Sequence, residues 1–142
     1  MTSTQVAVVQ LRRPFTFESS LRGEVFAALL LVVDPTVTSE EKVSLAGQLV
    51  GQGCRYAVCT GLDSSSWDDA IDHAAVVAEL DGTPTFGFVM TTWHEGEPLD
   101  DVVEFFFNQA MIDDAEPIHR LAIIIGEDED RLRELREAVW AS

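Results

Sequence analysis

The sequence predicts an α/β fold built on a mostly parallel sheet of four or five strands, and three observations carry that reading. A continuous apolar run fills residues 25–33 and ends at Asp34-Pro35, as suits a strand buried on both faces. Segments with helical apolar spacing follow it, each opened by a capping or proline signal. Short strands separate those helical segments, and alternation of strand and helix implies parallel βαβ units with right-handed crossovers.

The elements follow in order. Residues 5–11 form a candidate edge strand, read as antiparallel. Residues 25–33 are the first core strand. Thr38-Ser39-Glu40-Glu41 is a capping box, with Thr38 as N-cap and Glu41 at the third position. The helix it opens turns Val43, Ala46, Leu49 and Val50 inward and stops at Gly51 or Gly53. Residues 54–59 are a second strand. Ser66-Trp67-Asp68-Asp69 opens a second helix, whose inward face reads Trp67, Ala70, Ile71, Ala74, Val77 and Ala78. Residues 85–92 are a third strand. Glu97-Pro98 opens a third helix with Leu99, Val102, Val103, Phe106 and Ala110 as its core stripe. Residues 118–125 are a fourth strand ended by Gly126, and 128–140 a final helix with Leu132, Leu135 and Val139 inward. The four core strands are expected in the order 2-1-3-4. The whole chain, residues 1–142, reads as one flavodoxin-like or Rossmann-like three-layer sandwich.

A net charge of −16 disfavours nucleic acid, whose binding needs Lys and Arg against phosphate, and disfavours an anionic membrane surface. A basic protein is the electrostatic complement. Cys54 and Cys59, the two cysteines, sit five apart in a predicted strand, so opposite faces and no mutual disulfide are expected. The N-terminal residues lack the basic and apolar regions of an export signal, and run 25–33 is too short to span a bilayer. A cytoplasmic location is the expectation.

Ligands of open α/β sheets bind beyond the carboxyl ends of the strands. The turn Asp34-Pro35-Thr36-Val37 has no glycine and places a carboxylate where phosphate would sit, which argues against a nucleotide. Phosphotransfer at Asp34, with Glu127 or Asp128 helping to hold Mg²⁺, needs a basic residue that no predicted strand end supplies. His94, Glu95 and Asp63 share a rim but lack metal-ligand spacing. Cys59 with His94 as base is a possible dyad, in acidic surroundings that disfavour thiolate. No cofactor is expected. The rim Asp34, Cys59, Asp63, His94 and Glu95 stays as the alternative site for a small enzyme or ligand-binding domain.

The charge pattern is the most informative feature. From Tyr56 through His119 there is no Lys or Arg, against the carboxylates Asp63, Asp68, Asp69, Asp72, Glu79, Asp81, Glu95, Glu97, Asp100, Asp101, Glu104, Asp113, Asp114 and Glu116. Helix N-termini account for Asp68, Asp69, Asp100 and Asp101, but not for Asp72, Glu95 or Glu104. Trp93, placed in the loop after the third strand, and Phe105, outside its helix stripe, lie in the same half. Aromatic anchors rimmed by carboxylates suit a basic protein partner. The candidate protein-binding residues are Asp63, Asp68, Asp69, Asp72, Trp93, His94, Glu95, Asp101 and Phe105. A homodimer hiding Phe105 and Trp140 is the third possibility.

Gly53-Cys54-Arg55-Tyr56, Cys59, Gly61, Trp67-Asp68-Asp69 with Asp72, Met90-Thr91-Thr92-Trp93-His94 and Glu97-Pro98-Leu99 together resemble a small bacterial domain family of unknown function, over residues 50–107. The family pattern would place Trp where Thr60 stands. The resemblance implies an α/β fold and no assigned activity. In acidity and size the chain is also similar in style to immunity proteins, which block a toxin. The functional expectation is a non-enzymatic, acidic, cytoplasmic inhibitor or immunity module for a basic toxin.

Overall fold

A computed structural model describes residues 5–142 apart from Arg22 and residues 83–85. Five strands alternate with four helices: β1 (Gln5–Leu11), β2 (Phe26–Val32), α1 (Ser39–Gly51), β3 (Cys54–Gly61), α2 (Ser64–Leu80), β4 (Met90–His94), α3 (Leu99–Asn108), β5 (His119–Ile125) and α4 (Glu129–Trp140). The sheet order is β1-β5-β2-β3-β4 and every pairing is parallel. β2 and β5 are buried along their full lengths at the centre, β2 entirely apolar and β5 apolar from Leu121 onward.

Alternate residues of the central strands feed two separate cores. Ala28, Leu30, Val32, Ile123 and Ile125 pack against Leu45 and Leu49 of α1 and Trp67 and Ile71 of α2. Ala27, Leu29, Leu31, Ala122 and Ile124 pack against Val102 and Phe106 of α3 and Leu135 and Val139 of α4. The result is a three-layer α/β sandwich of flavodoxin-like or Rossmann-like type. Among the described residues, no helix is long and apolar enough to cross a membrane.

Four expectations are corrected here. β1 is parallel to β5, not antiparallel. An irregular loop makes the crossover to β2 and seals it with Phe15 and Phe17, both buried in the α1/α2 core. The order is not 2-1-3-4: β4 lies outside β3, and β5 takes the place beside β2. The strand expected over 85–92 forms over Met90–His94 instead, so Trp93 and His94 are strand residues; Thr85 lies outside the described residues. Cys54 and Cys59 face the same core, because a register shift between Phe26 and Ala27 skips Arg55 and turns Cys54 over. Both cysteines are free.

Helix signals hold unevenly. Thr38 and Glu41 form the reciprocal capping box as read. α2 starts earlier than Ser66, at Ser64, and its N-cap Asp63 makes no side-chain cap bond. Asp68 and Asp69 therefore sit in the second turn, where the helix-end explanation for their charge no longer applies. Val43 and Val77 are exposed rather than inward, Leu45 taking the inward place on α1. Ala110 is buried but lies beyond the end of α3.

Arg120 is the most unusual core residue, fully buried on β5. Its guanidinium donates to the carbonyls of Phe106, Phe107 and Ala110 and lies over both Phe rings. Two of these carbonyls belong to the last turn of α3 and the third lies just past it, and α3 carries no basic residue of its own. Arg120 thus satisfies from a neighbouring strand what a helix leaves open at its C-terminus.

Candidate functional site

The order of the strands along the chain reverses between β2 and β5. The chain leaves β2 for α1 on one face and leaves β5 for α4 on the other, opening the crevice where α/β folds usually hold ligands. Because β1 is parallel, its end joins this rim and brings Arg12 and Arg13 with it. The expectation that no basic residue reaches a strand end is overturned. A cleft of about 450 Å³ lies between Arg12, Arg13, Asp34, Pro35, Gly126 and Glu127.

The groups around this cleft are already committed to one another. Arg13 donates to both oxygens of Glu41, at 2.8 and 3.1 Å, and approaches Asp34 at 3.6 Å. Its guanidinium is the main reason the Glu41 carboxyl is held down at about 2, aided by the Thr38 N–H. Asp34 accepts from the Thr36 hydroxyl and N–H at 2.6 and 2.7 Å, and these bonds lower its pKa. It is a turn residue, as the following Pro35 suggests. Arg12 pairs with Glu127 at 2.8 Å, and Asp128 caps α4 through the Arg131 N–H. The backbone is spent too: Val33 and Asp34 donate to Ile125, Gly126 to Leu11, and Leu62 to Val32. Gly126 lets these turns touch, since a Cβ there would come within 2.7 Å of the Asp34 Cβ.

The alternative rim does not bring Cys59 and His94 together. Cys59 faces the α1/α2 core and is fully buried, and its thiol is pushed well above the ordinary range by burial and then by Asp68. Burial likewise pushes Cys54 up to about 12. His94 lies on the opposite face of the sheet, because Trp93, not His94, stands beside Cys59 in register. The two cannot form a dyad. The His94 ring is held between Glu97 at 3.0 Å and Thr92 at 3.1 Å, with the Phe105 ring 4.6 Å away. It ties β4 to α3. Among the described residues, no three His, Cys, Asp or Glu side chains are grouped to hold a metal ion.

The acidic candidates divide into two sets. Asp63, Asp69, Asp72, Trp93, Glu95 and Asp101 are exposed around β4 and the starts of α2 and α3. Asp68, His94 and Phe105 belong to the interior: Asp68 is 5% exposed, His94 is buried, and Phe105 packs against the α3/α4 core. Burial raises the Asp68 pKa, opposed by the Thr91 hydroxyl and reinforced by Asp72 and Asp69, and its Oδ1 has no hydrogen-bond partner. Phe105 is therefore not free to bury itself in a dimer, while Trp140 is exposed. Two carboxylates of this half are neutralised from outside it, Asp113 by Arg55 at 3.0 Å and Glu116 by Arg120 at 3.9 Å. Asp72, which accepts from Thr91 at 2.9 Å, has no ion pair among the described residues, and neither have Glu95 and Glu104.

Beside these carboxylates lies apolar surface, whose Phe88 and Met90 the sequence reading placed in a strand over 85–92 and whose Trp93 it placed in the loop after it. Phe88 is 74% exposed, Met90 45% and Trp93 54%, and Val76 and Leu80 extend the surface along α2. A groove of about 610 Å³ runs between α2 and the segment before β4, from Asp72 and Val76 to Phe88 and Val89. The signal available was the polarity of β4: Met-Thr-Thr-Trp-His suits an edge, not a centre.

Fold and site together define an all-parallel α/β sandwich whose strand-end crevice is internally paired and whose β4 side is acidic and partly apolar. Residues 6–142 match the family described as Domain of unknown function (DUF7684), and the chain belongs to that family. No curated protein and no solved structure matches the chain.

Proposed function

We propose that this protein is a non-enzymatic binding module whose β4 side receives a basic protein, with a toxin held inactive by an immunity-type inhibitor as the most concrete case. One observation carries the reading: Trp93, half exposed on the edge strand, lies between Asp72, tied to the same strand through Thr91, and Glu95 just past it, and neither carboxylate has an ion-pair partner among the described residues. Aromatic surface ringed by one sign of charge gives an anchor and a steering field for a partner of the opposite sign. The internal pairing of Arg12, Arg13, Asp34 and Glu127 supports a binding role over a small-molecule role at the crevice. The test is partner capture from host cells at low and high salt, using the wild type and an Asp72→Lys, Glu95→Lys variant. A basic partner retained at low salt and lost by the variant is the expected result. The same proteins retained by both, at both salts, would contradict it.

A further inference from the structure

The acidic face has a geometric peculiarity that charge alone does not use. β4 is the outermost strand, hydrogen-bonded to β3 on one side, and among the described residues no strand pairs with its other side. Such an edge presents N–H and C=O groups to any extended chain of suitable chemistry. Natural edges are commonly blocked by Lys or Pro, or covered by another element. Met90–His94 contains neither residue.

The side chains of β4 are arranged for an added strand. Met90 stands beside Tyr56, which belongs to the α3/α4 core, so it points to that face. Trp93 stands beside Cys59, which belongs to the α1/α2 core, so it points to the other. One exposed apolar side chain therefore flanks the edge on each face of the sheet, and exposed Phe88 prolongs the line before the strand. Carboxylates border the same edge: Asp72 on α2, tied to Thr91 of β4, and Glu95 just past the strand.

We infer that β4 is a docking edge for an extended segment of a basic protein, which adds to the sheet as a sixth strand. Its backbone pairs with Met90–His94, its apolar side chains pack on Met90 and Trp93, and its Lys or Arg side chains meet Asp72 and Glu95. Strand addition of this kind takes affinity from main-chain hydrogen bonds and specificity from the flanking side chains. Charge complementarity selects the occupant. A second copy of this chain would set one edge of a −16 protein against another, like charge on like charge. The inference rests on the reading of this face as a protein-docking surface and adds the mode of docking.

The probe is a ten-residue peptide of Lys-Lys-Val-Val repeats, which as a strand shows both residue types on each face, titrated into the full chain and followed by amide chemical shifts and hydrogen exchange. Two controls carry the same charge: the fully N-methylated peptide, which cannot donate main-chain hydrogen bonds, and a Lys/Ala peptide that favours helix. The extended peptide should bind, slow exchange within Met90–His94, and exceed each control by about tenfold or more in affinity, because several backbone bonds are lost in the controls. Trp93→Ala should weaken it about tenfold as well. Equal binding of all three peptides, without protection of β4 amides, would overturn strand addition while leaving a salt-sensitive acidic surface in place. No binding by any of them would overturn it too, and the charge-reversal capture would then judge the acidic surface by itself. Concentration-dependent protection of β4 in the chain alone, with a dimer by sedimentation, would assign the edge to a second copy and overturn the basic partner.

Discussion

The two sides of this sheet treat charge in opposite ways. At the β1-β5-β2 side, cations and carboxylates are matched: Arg13 joins Glu41 and Asp34, and Arg12 joins Glu127. At the β4 side, Asp72 and Glu95 have no ion-pair partner among the described residues, beside a strand edge that exposes Met90 and Trp93. The first arrangement fastens turns to one another. The second leaves charge and apolar surface for something else to satisfy. In a protein with few cations, where they are placed is informative: the crevice that most α/β folds keep for ligands is here lined by side chains already ion-paired with one another.

The strongest test of that division concerns Arg120. If cations on the paired side serve the fold, Arg120→Ala should destabilise the protein by about 3 kcal/mol or more, since three buried carbonyls lose a charged donor. Urea denaturation measures this, and a loss under about 1 kcal/mol would break the argument. At the other side, Trp93→Ala should leave the urea midpoint nearly unchanged yet cost about 2 kcal/mol or more in partner binding, mostly through a faster off-rate.

Asp68 lies between these cases. It is a buried carboxylate with an unpartnered oxygen, placed under the acidic face. Because burial raises its pKa above the ordinary 3.8, the folded state holds that proton more tightly than the unfolded state does. Stability is therefore lost as pH rises from the ordinary carboxylate range through the raised value. Asp68→Asn should remove that loss and stabilise the protein at neutral pH by about 1 kcal/mol, read from urea midpoints at pH 4 and pH 7. Equal midpoints for variant and wild type at both pH values would show that the site tolerates the charge.

Glu41 gives the opposite sign. Its carboxyl is lowered from 4.5 to about 2, so its contribution is present above 4.5 and disappears as pH falls toward 2. Arg13→Gln should flatten the acid limb of the stability curve over that interval, as followed by circular dichroism at stepped pH. An unchanged acid limb would mean the exposed pair contributes nothing, as many surface pairs do.

Much of this division could be read from the chain before its structure, but not the part that places the site. The capping box at Thr38 and the apolar runs of β2 and β5 follow from local chemistry, and the structure keeps them. The direction of β1 does not. Nothing between Leu11 and Phe26 has a helical pattern, so a parallel crossover had no visible means, and the antiparallel alternative puts Arg12 and Arg13 at the wrong end of the sheet. Phe15 and Phe17 make the crossover instead, as two buried anchors in an irregular loop. The same kind of non-local fact hid the edge. Phe86, Phe88 and Met90 look like core until β4 is placed outside β3. His94 and Phe105 look like surface until their rings are found in contact, 4.6 Å apart. A one-residue register shift at Arg55 was enough to turn Cys54 to the face of Cys59.

The smallest expected effect on folding belongs to the most decisive variants. Asp72→Lys with Glu95→Lys, at the β4 side, and Glu18→Lys with Glu137→Lys, away from it, change the net charge equally. Each pair should alter stability by no more than about 0.5 kcal/mol, because all four residues are exposed. Association rates with the captured basic partner, measured from about 0.02 to 0.3 M salt, then separate local charge from overall charge. The β4-side pair should slow association several-fold at low salt and flatten its salt dependence, while the distant pair leaves both close to wild type. Equal slowing by the two pairs would mean that only total charge matters, and would contradict a binding face at β4.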